Sequence, residues 1–163
     1  MLNEPPNILL ILRTLTRHEV DFIVVGGVCA VLHGAPISTF DLDLVHSREP
    51  DNLSRLVTAL EELDAHYRDP AGRTIKPRPG DLSGAGHHLL MTRGGPLDLL
   101  GEIGEGRGYE DLVPDTINIE VSEEIRVRVL SLRALIREKE EMARQKDRAV
   151  LDILRKTLEE SGE

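Results

Sequence analysis

Two carboxylates, Asp41 and Asp43, stand two positions apart near the end of the segment FIVVGGVCAVLHGAPISTFDLDLV, which runs from Phe22 to Val45. In an extended strand residues i and i+2 point to the same face, so both acids look into one small space. Two like charges held that close are costly unless a cation lies between them, and oxygen-only donors suit a divalent ion such as Mg2+ or Mn2+. Upstream, the apolar, β-branched run Val20 to Val25 stops at Gly26 and Gly27, where the backbone bends tightly and approaches a ligand with no Cβ in the way. Val28 to His33 is helical in composition and closed by Gly34, which sets the N–H groups of a helix start beside the glycines, an arrangement suited to anions. Carboxylates for a metal and amides for a phosphate thus reach the same edge of a sheet.

Either feature alone is commonplace: Gly-Gly is a frequent turn and Asp-x-Asp a frequent solvated strand end. Their combination in one strand-helix-strand unit is far more specific. The order strand, Gly-Gly, helix, Thr-x-Asp-x-Asp resembles the DNA polymerase β nucleotidyltransferase superfamily. The wording VVGGVCAVLHGAP-x-ST-x-DLDL is similar to its small branch found in toxin–antitoxin and abortive-infection systems, although Ile37 stands where members of that branch often carry Arg. The resemblance implies that Gly26 and Gly27, with Ser38 or Thr39, contact nucleotide phosphates, and that Asp41 and Asp43 are the first two metal-binding carboxylates. It further implies transfer of a nucleoside monophosphate from an NTP to a hydroxyl acceptor by two-metal catalysis with Mg2+ or Mn2+. The acceptor stays open among a tRNA end, a protein hydroxyl and a small molecule, and a partner protein encoded nearby is a further expectation. A rival reading is a catalytically weak binding module of the same fold, acting as a toxin or antitoxin partner.

A third acid follows in HLLMTRGGPLDLLGE, His88 to Glu102, where two apolar runs flank Arg93-Gly94-Gly95-Pro96 as in a hairpin. Asp98 is the acid inside the second run, and a buried carboxylate needs a partner. By resemblance Asp98 is the third metal ligand; the alternative is a structural ion pair. Lys139 and Lys146 lie two turns apart on the core-facing stripe of the last helical segment. The wording LIREKEEMARQKD resembles the helix that follows the sheet in the same branch, where lysines lie near the active site. Binding to phosphate and pairing with a protein carboxylate are both open for these lysines.

The elements that must position these groups are legible in outline. Asn7 is placed to cap a helix from Ile8 to about Arg17, and Asp51 to Ala65 carries leucines at helical spacing. Tyr67 to Gly86, rich in Pro, Gly and charge, reads as a solvated loop, a basic lid being the alternative for its Arg68, Arg73, Lys76 and Arg78. Gly101 to Val113 reads as a polar loop with an exposed Tyr109. A second hairpin pairs Ile117 to Val121 with Ile125 to Leu130, and Ser131 then caps one long helix from Leu132 to about Glu160. The adjacent His87 and His88 point to opposite faces of a strand.

Composition bounds the rest. The 163 residues, 40% of them hydrophobic, suit one domain, with a motif core over 20–131 and a C-terminal helix over 132–160. Aromatics at 2% leave packing to Leu, Val and Ile and provide no base-stacking platform, while a net charge of −9 argues against extended DNA binding. No apolar run is long enough to span a membrane. With a single cysteine and no secretory signal in view, the cytoplasm is the expected compartment, and Cys29 reads as a buried, inert thiol. The expected fold is α/β and nucleotidyltransferase-like: a small mixed, twisted sheet with helices packed on one side, the site open on the other, and a long C-terminal helix.

Overall fold

The computed structural model describes residues 6–142 and 145–162, with only the backbone of 145–149. Helix α1 (Ile8–Arg17) begins where Asn7 Oδ1 accepts the N–H of Leu10 at 3.1 Å, and it buries Ile11, Leu12 and Leu15. Strand β1 (Phe22–Val25) runs into α2 (Gly26–Leu32), and the chain returns as β2 (Leu42–His46). Then come α3 (Pro50–Glu62), the two-residue strand β3 (His66–Tyr67), and the hairpin of β4 (His87–Thr92) and β5 (Gly95–Leu100). A short helix α4 (Tyr109–Leu112) leads to the hairpin of β6 (Thr116–Ser122) and β7 (Ile125–Leu130). The chain closes with α5 (Leu132–Glu141) and α6 (Gln145–Ser161).

All seven strands form one mixed sheet in the order β3-β4-β5-β2-β1-β7-β6. β1 pairs antiparallel with β2 and parallel with β7, and β2 pairs parallel with β5. The core is aliphatic, built from residues such as Ile23, Leu44, Leu56, Leu97, Val129 and Leu135. β1 is buried at all four positions, so the sheet centre is covered on both faces. By contrast β4 reads exposed at His87 and Leu89 and buried at Leu90 and Thr92. The open face is therefore narrower than the sheet and lies towards β4 and β5.

The mixed sheet and the C-terminal helix are as expected, but the single helix expected from Leu132 to Glu160 is two. α6 packs back on α5, with Arg155 Nη2 3.5 Å from Glu140 Oε2. A straight helix advances about 1.5 Å per residue and would carry Leu151 and Leu154 far beyond the sheet. Reversal buries both, and apolar burial is the dominant favourable term in folding. The loop expected over Gly101 to Val113 contains α4, and Tyr109 is half-buried rather than exposed, its ring 5.8 Å from the Arg128 guanidinium. Among the described residues no helix is long and apolar enough to cross a membrane.

Candidate functional site

The β2–β5 register brings the acids together. Asp43 stands opposite Asp98 on adjacent parallel strands, and residues in register across a pair share a face. Asp41 lies one residue before β2 and two positions from Asp43. Burial pushes the Asp43 carboxyl up to about 7, helped by the charge and close approach of Asp98 and then by the charge of Asp41; Lys139 acts in the opposite direction. Asp98 and Asp41 thus both press on Asp43, and the Lys139 ammonium offsets them.

Gly26 lies against this pair at φ 67°, a left-handed conformation that costs a residue with a Cβ. A Cβ built there would lie 2.4 Å from Asp43 Oδ2. At Gly27 it would lie 2.6 Å from Thr39 Oγ1, which itself donates to the Asp41 carbonyl at 3.3 Å. The glycines are thus required by the close approach of Asp43 on β2 and of Thr39 on the loop before it. Ser38 is exposed on the connecting loop.

Beside Asp43 opens a cavity of about 390 Å³ whose lining includes Gly26, Lys139, Glu138, Glu102, His87 and Ile103. Lys139 reaches it because Ser131 caps α5, its Oγ accepting from Ala134 N at 3.1 Å, and α5 packs on α2 through its apolar face. The far end of α5 is braced by Arg107, which bonds Glu141 at 2.7 Å and lies 3.9 Å from Glu138. Burial raises the Glu138 carboxyl, and the Arg107 charge lowers it. The side chain of Lys146 lies outside the described residues, as does that of Asp147, so that half of the lysine expectation has no structural counterpart here.

The structure also shows a pairing that the sequence did not announce, for Arg68, one of the basic residues of the segment read as a solvated loop or a basic lid. The Arg68 guanidinium forms an ion pair with Asp98, and its backbone N–H donates to Leu89 O at 3.0 Å, extending the β3–β4 pairing by one residue. The loop that follows is largely exposed, as expected, with Arg73 held by Asp69 and Arg78 by Asp81. His87 lines the cavity and meets the Glu102 carbonyl at 3.1 Å, whereas His88 turns to the Tyr67 hydroxyl at 2.9 Å. Cys29 is buried, and burial pushes its thiol up to about 12, which leaves it inert.

The donor set of Asp41, Asp43 and Asp98 is all oxygen, the chemistry of Mg2+ or Mn2+, and a cation would relieve the crowding that raises Asp43. Among the described residues no three His, Cys, Asp or Glu side chains already converge as a metal-holding group. Asp98 is instead engaged by Arg68. The residues fit a divalent ion in chemistry, with one ligand held by an internal cation.

Comparison of structures places this arrangement in a known fold. The lincosamide antibiotic adenylyltransferase LnuA, bound to lincomycin, superposes with a TM-score of 0.60 at 12% identity, over 91% of this chain and 94% of that one. The antibiotic-resistance factor ANT(2'')-Ia gives 0.58 at 14% identity, over 94% and 81%. TM1012, a candidate nucleotidyltransferase from Thermotoga maritima, gives 0.52 at 17% identity, over 94% and 91%. The protein has the nucleotidyltransferase fold. No protein-family model matches the sequence, and no curated protein matches it.

Proposed function

We propose that the protein transfers a nucleoside monophosphate from an NTP to a hydroxyl acceptor. The observation that carries this reading is the in-register pairing of Asp43 and Asp98 beside Gly26, with Lys139 lining the same cavity as Asp43. Asp41, Asp43 and Asp98 would hold Mg2+ or Mn2+. Two such ions, when bound, supply charge neutralisation on the phosphates and activation of the attacking oxygen.

The chain's own residues would do the rest. The backbone at Gly26 and Gly27, with Thr39 and the exposed Ser38, cradles phosphate oxygens. Lys139, and Lys146 in the same role, offsets charge as the α-phosphorus leaves the β-phosphate oxygen and pyrophosphate departs. Asp98, on the outer side of the carboxylate pair, takes the proton of the acceptor hydroxyl as its oxygen bonds to the α-phosphorus. A toxin–antitoxin or phage-defence setting rests on the wording of the Val24 to Leu44 segment. A binding module of weak activity is the second reading, favoured by the engagement of Asp98 with Arg68.

The test is binding of each NTP with Mg2+, followed by thermal shift and by pyrophosphate release. Wild type should be stabilised by ligand, because binding to the folded state alone must raise its stability. The Asp41→Asn, Asp43→Asn double variant should lose that shift; retention of the full shift would overturn the proposal. Nucleotide-dependent stabilisation without pyrophosphate release for any hydroxyl acceptor would select the second reading.

A further inference from the structure

Across the open face a single row of side chains runs Asp43, Asp98, Leu89 and Arg68, set by the pairing of β2 with β5, of β5 with β4, and of Arg68 N with Leu89 O. Gly26 and Lys139 lie on the Asp43 end of this row and Arg68 on the other, with Leu89 exposed between. Resting on the proposed function, we infer that Arg68 is the acceptor-side anion receptor: it occupies Asp98 in the free protein, is displaced when a divalent cation takes that carboxylate, and then binds a phosphate carried by the acceptor.

The Asp98 side chain is only 16% exposed and Arg68 30%, so each leans on the other for a counter-charge. A divalent cation and a guanidinium drawn to one carboxylate repel each other, so each weakens the other's hold on Asp98. Once released, Arg68 stays tethered at the edge of β4 by its backbone. The two nearest acids of its loop are taken, Asp69 by Arg73 and Asp81 by Arg78. The triphosphate is held at the opposite end of the row, so the anion that Arg68 meets arrives with the acceptor. A planar guanidinium fork matches phosphate geometry, and the apolar Leu89 suits the non-polar face of the group that carries it.

Titration of the apoprotein with Mn2+ alone, followed by the resonance of the free ion, tests the first half. Arg68→Gln should bind Mn2+ about tenfold tighter than wild type, the factor expected for removing one competing ion pair, and adding Asp98→Asn should cancel the gain. Unchanged affinity in a folded Arg68→Gln protein overturns the inference. Undiminished Mn2+ binding in both Asp43→Asn and Asp98→Asn would instead remove the cation site itself, a failure of the function reading that the Arg68 result does not mimic.

Inorganic phosphate titrated into the Mn2+-loaded protein tests the second half. Its affinity should drop about tenfold in Arg68→Gln and persist in Lys139→Met; the reverse pattern overturns the inference by placing phosphate on the nucleotide side. Replacing phosphate by a nucleoside monophosphate or a short RNA tells a small-molecule carrier of the phosphate from a nucleic-acid one. Loss of affinity for either in Arg68→Gln supports the inference, and loss for neither overturns it.

Discussion

Gly26 and Asp43 leave no space between them: a Cβ on Gly26 would sit 2.4 Å from Asp43 Oδ2, in a backbone conformation of φ 67°. Gly26→Ala must therefore both strain the backbone and push the carboxylate aside. A loss on the order of 1 to 3 kcal/mol is expected from the two effects together. Urea unfolding reads the loss, and Mn2+ titration of the same variant should show weakened binding. A variant of wild-type stability would mean that β2 can retreat from the turn.

Asp43→Asn should leave the ligand-free protein at least as stable as wild type at alkaline pH, where crowding with Asp98 and Asp41 is greatest. Melting curves without divalent ions check this. The same variant should lose stabilisation by Mg2+ and NTP, so a destabilised apoprotein would show that Asp43 has a structural partner instead.

Lys139→Met keeps the volume and removes the charge facing Asp43. If phosphate is its working partner, NTP affinity should fall by about 1 to 3 kcal/mol, the range of a charge-assisted hydrogen bond, with apo stability nearly unchanged. Isothermal titration measures the first and a melting curve the second. A drop in apo stability alone would assign Lys139 to the carboxylates.

His46 sets an acid limit. It is fully buried, its Nε2 2.8 Å from Leu82 O, while its Nδ1 has no partner among the described residues. Burial lowers its pKa from 6.5, the Leu82 carbonyl works against that, and the charges of His88 and Arg48 add to the lowering. The unfolded chain thus takes up this proton first, so stability is intact above pH 6.5 and falls as pH drops below it. His46→Gln keeps a donor towards Leu82 O and removes the titration. Its melting temperature should decline less steeply with acidity than that of wild type; equal slopes would acquit His46.

Leu154 tests the reversal of the last helix. It is fully buried although it lies in the second half of the segment expected to be one long helix. Leu154→Ala should cost about 2 to 5 kcal/mol, the range for emptying a core position. A cost below 1 kcal/mol, the level of a surface change, would show α6 to be an appendage.

Much of this molecule is written locally. The Asn7 and Ser131 caps, both hairpins and the Gly-Gly and Asp-x-Asp motifs are short-range signals, and each appears where the sequence puts it. What escaped depends on distant partners. β3 is two residues long, too short to show a period, so nothing local marks Arg68 as the residue that continues it towards Asp98. The amphipathic pattern of α5 and α6 is equally good for one helix or two, and only the burial of Leu151 and Leu154 decides. Tyr109 looked exposed because its cover, Arg128, comes from a later strand.

The register of β2 against β5 also has a bearing on folding. Asp43 and Asp98 come from parallel strands that α3, β3 and β4 separate in the chain, so their meeting is a non-local event that forms slowly compared with hairpins and helices. A slip of one residue in that pairing would turn Asp98 to the opposite face and leave every hydrophobic contact of β5 misdirected. The carboxylate pair therefore requires β5 to be seated in register beside β2. Mn2+ binding, once measured, doubles as a kinetic marker for the moment at which β5 locks beside β2.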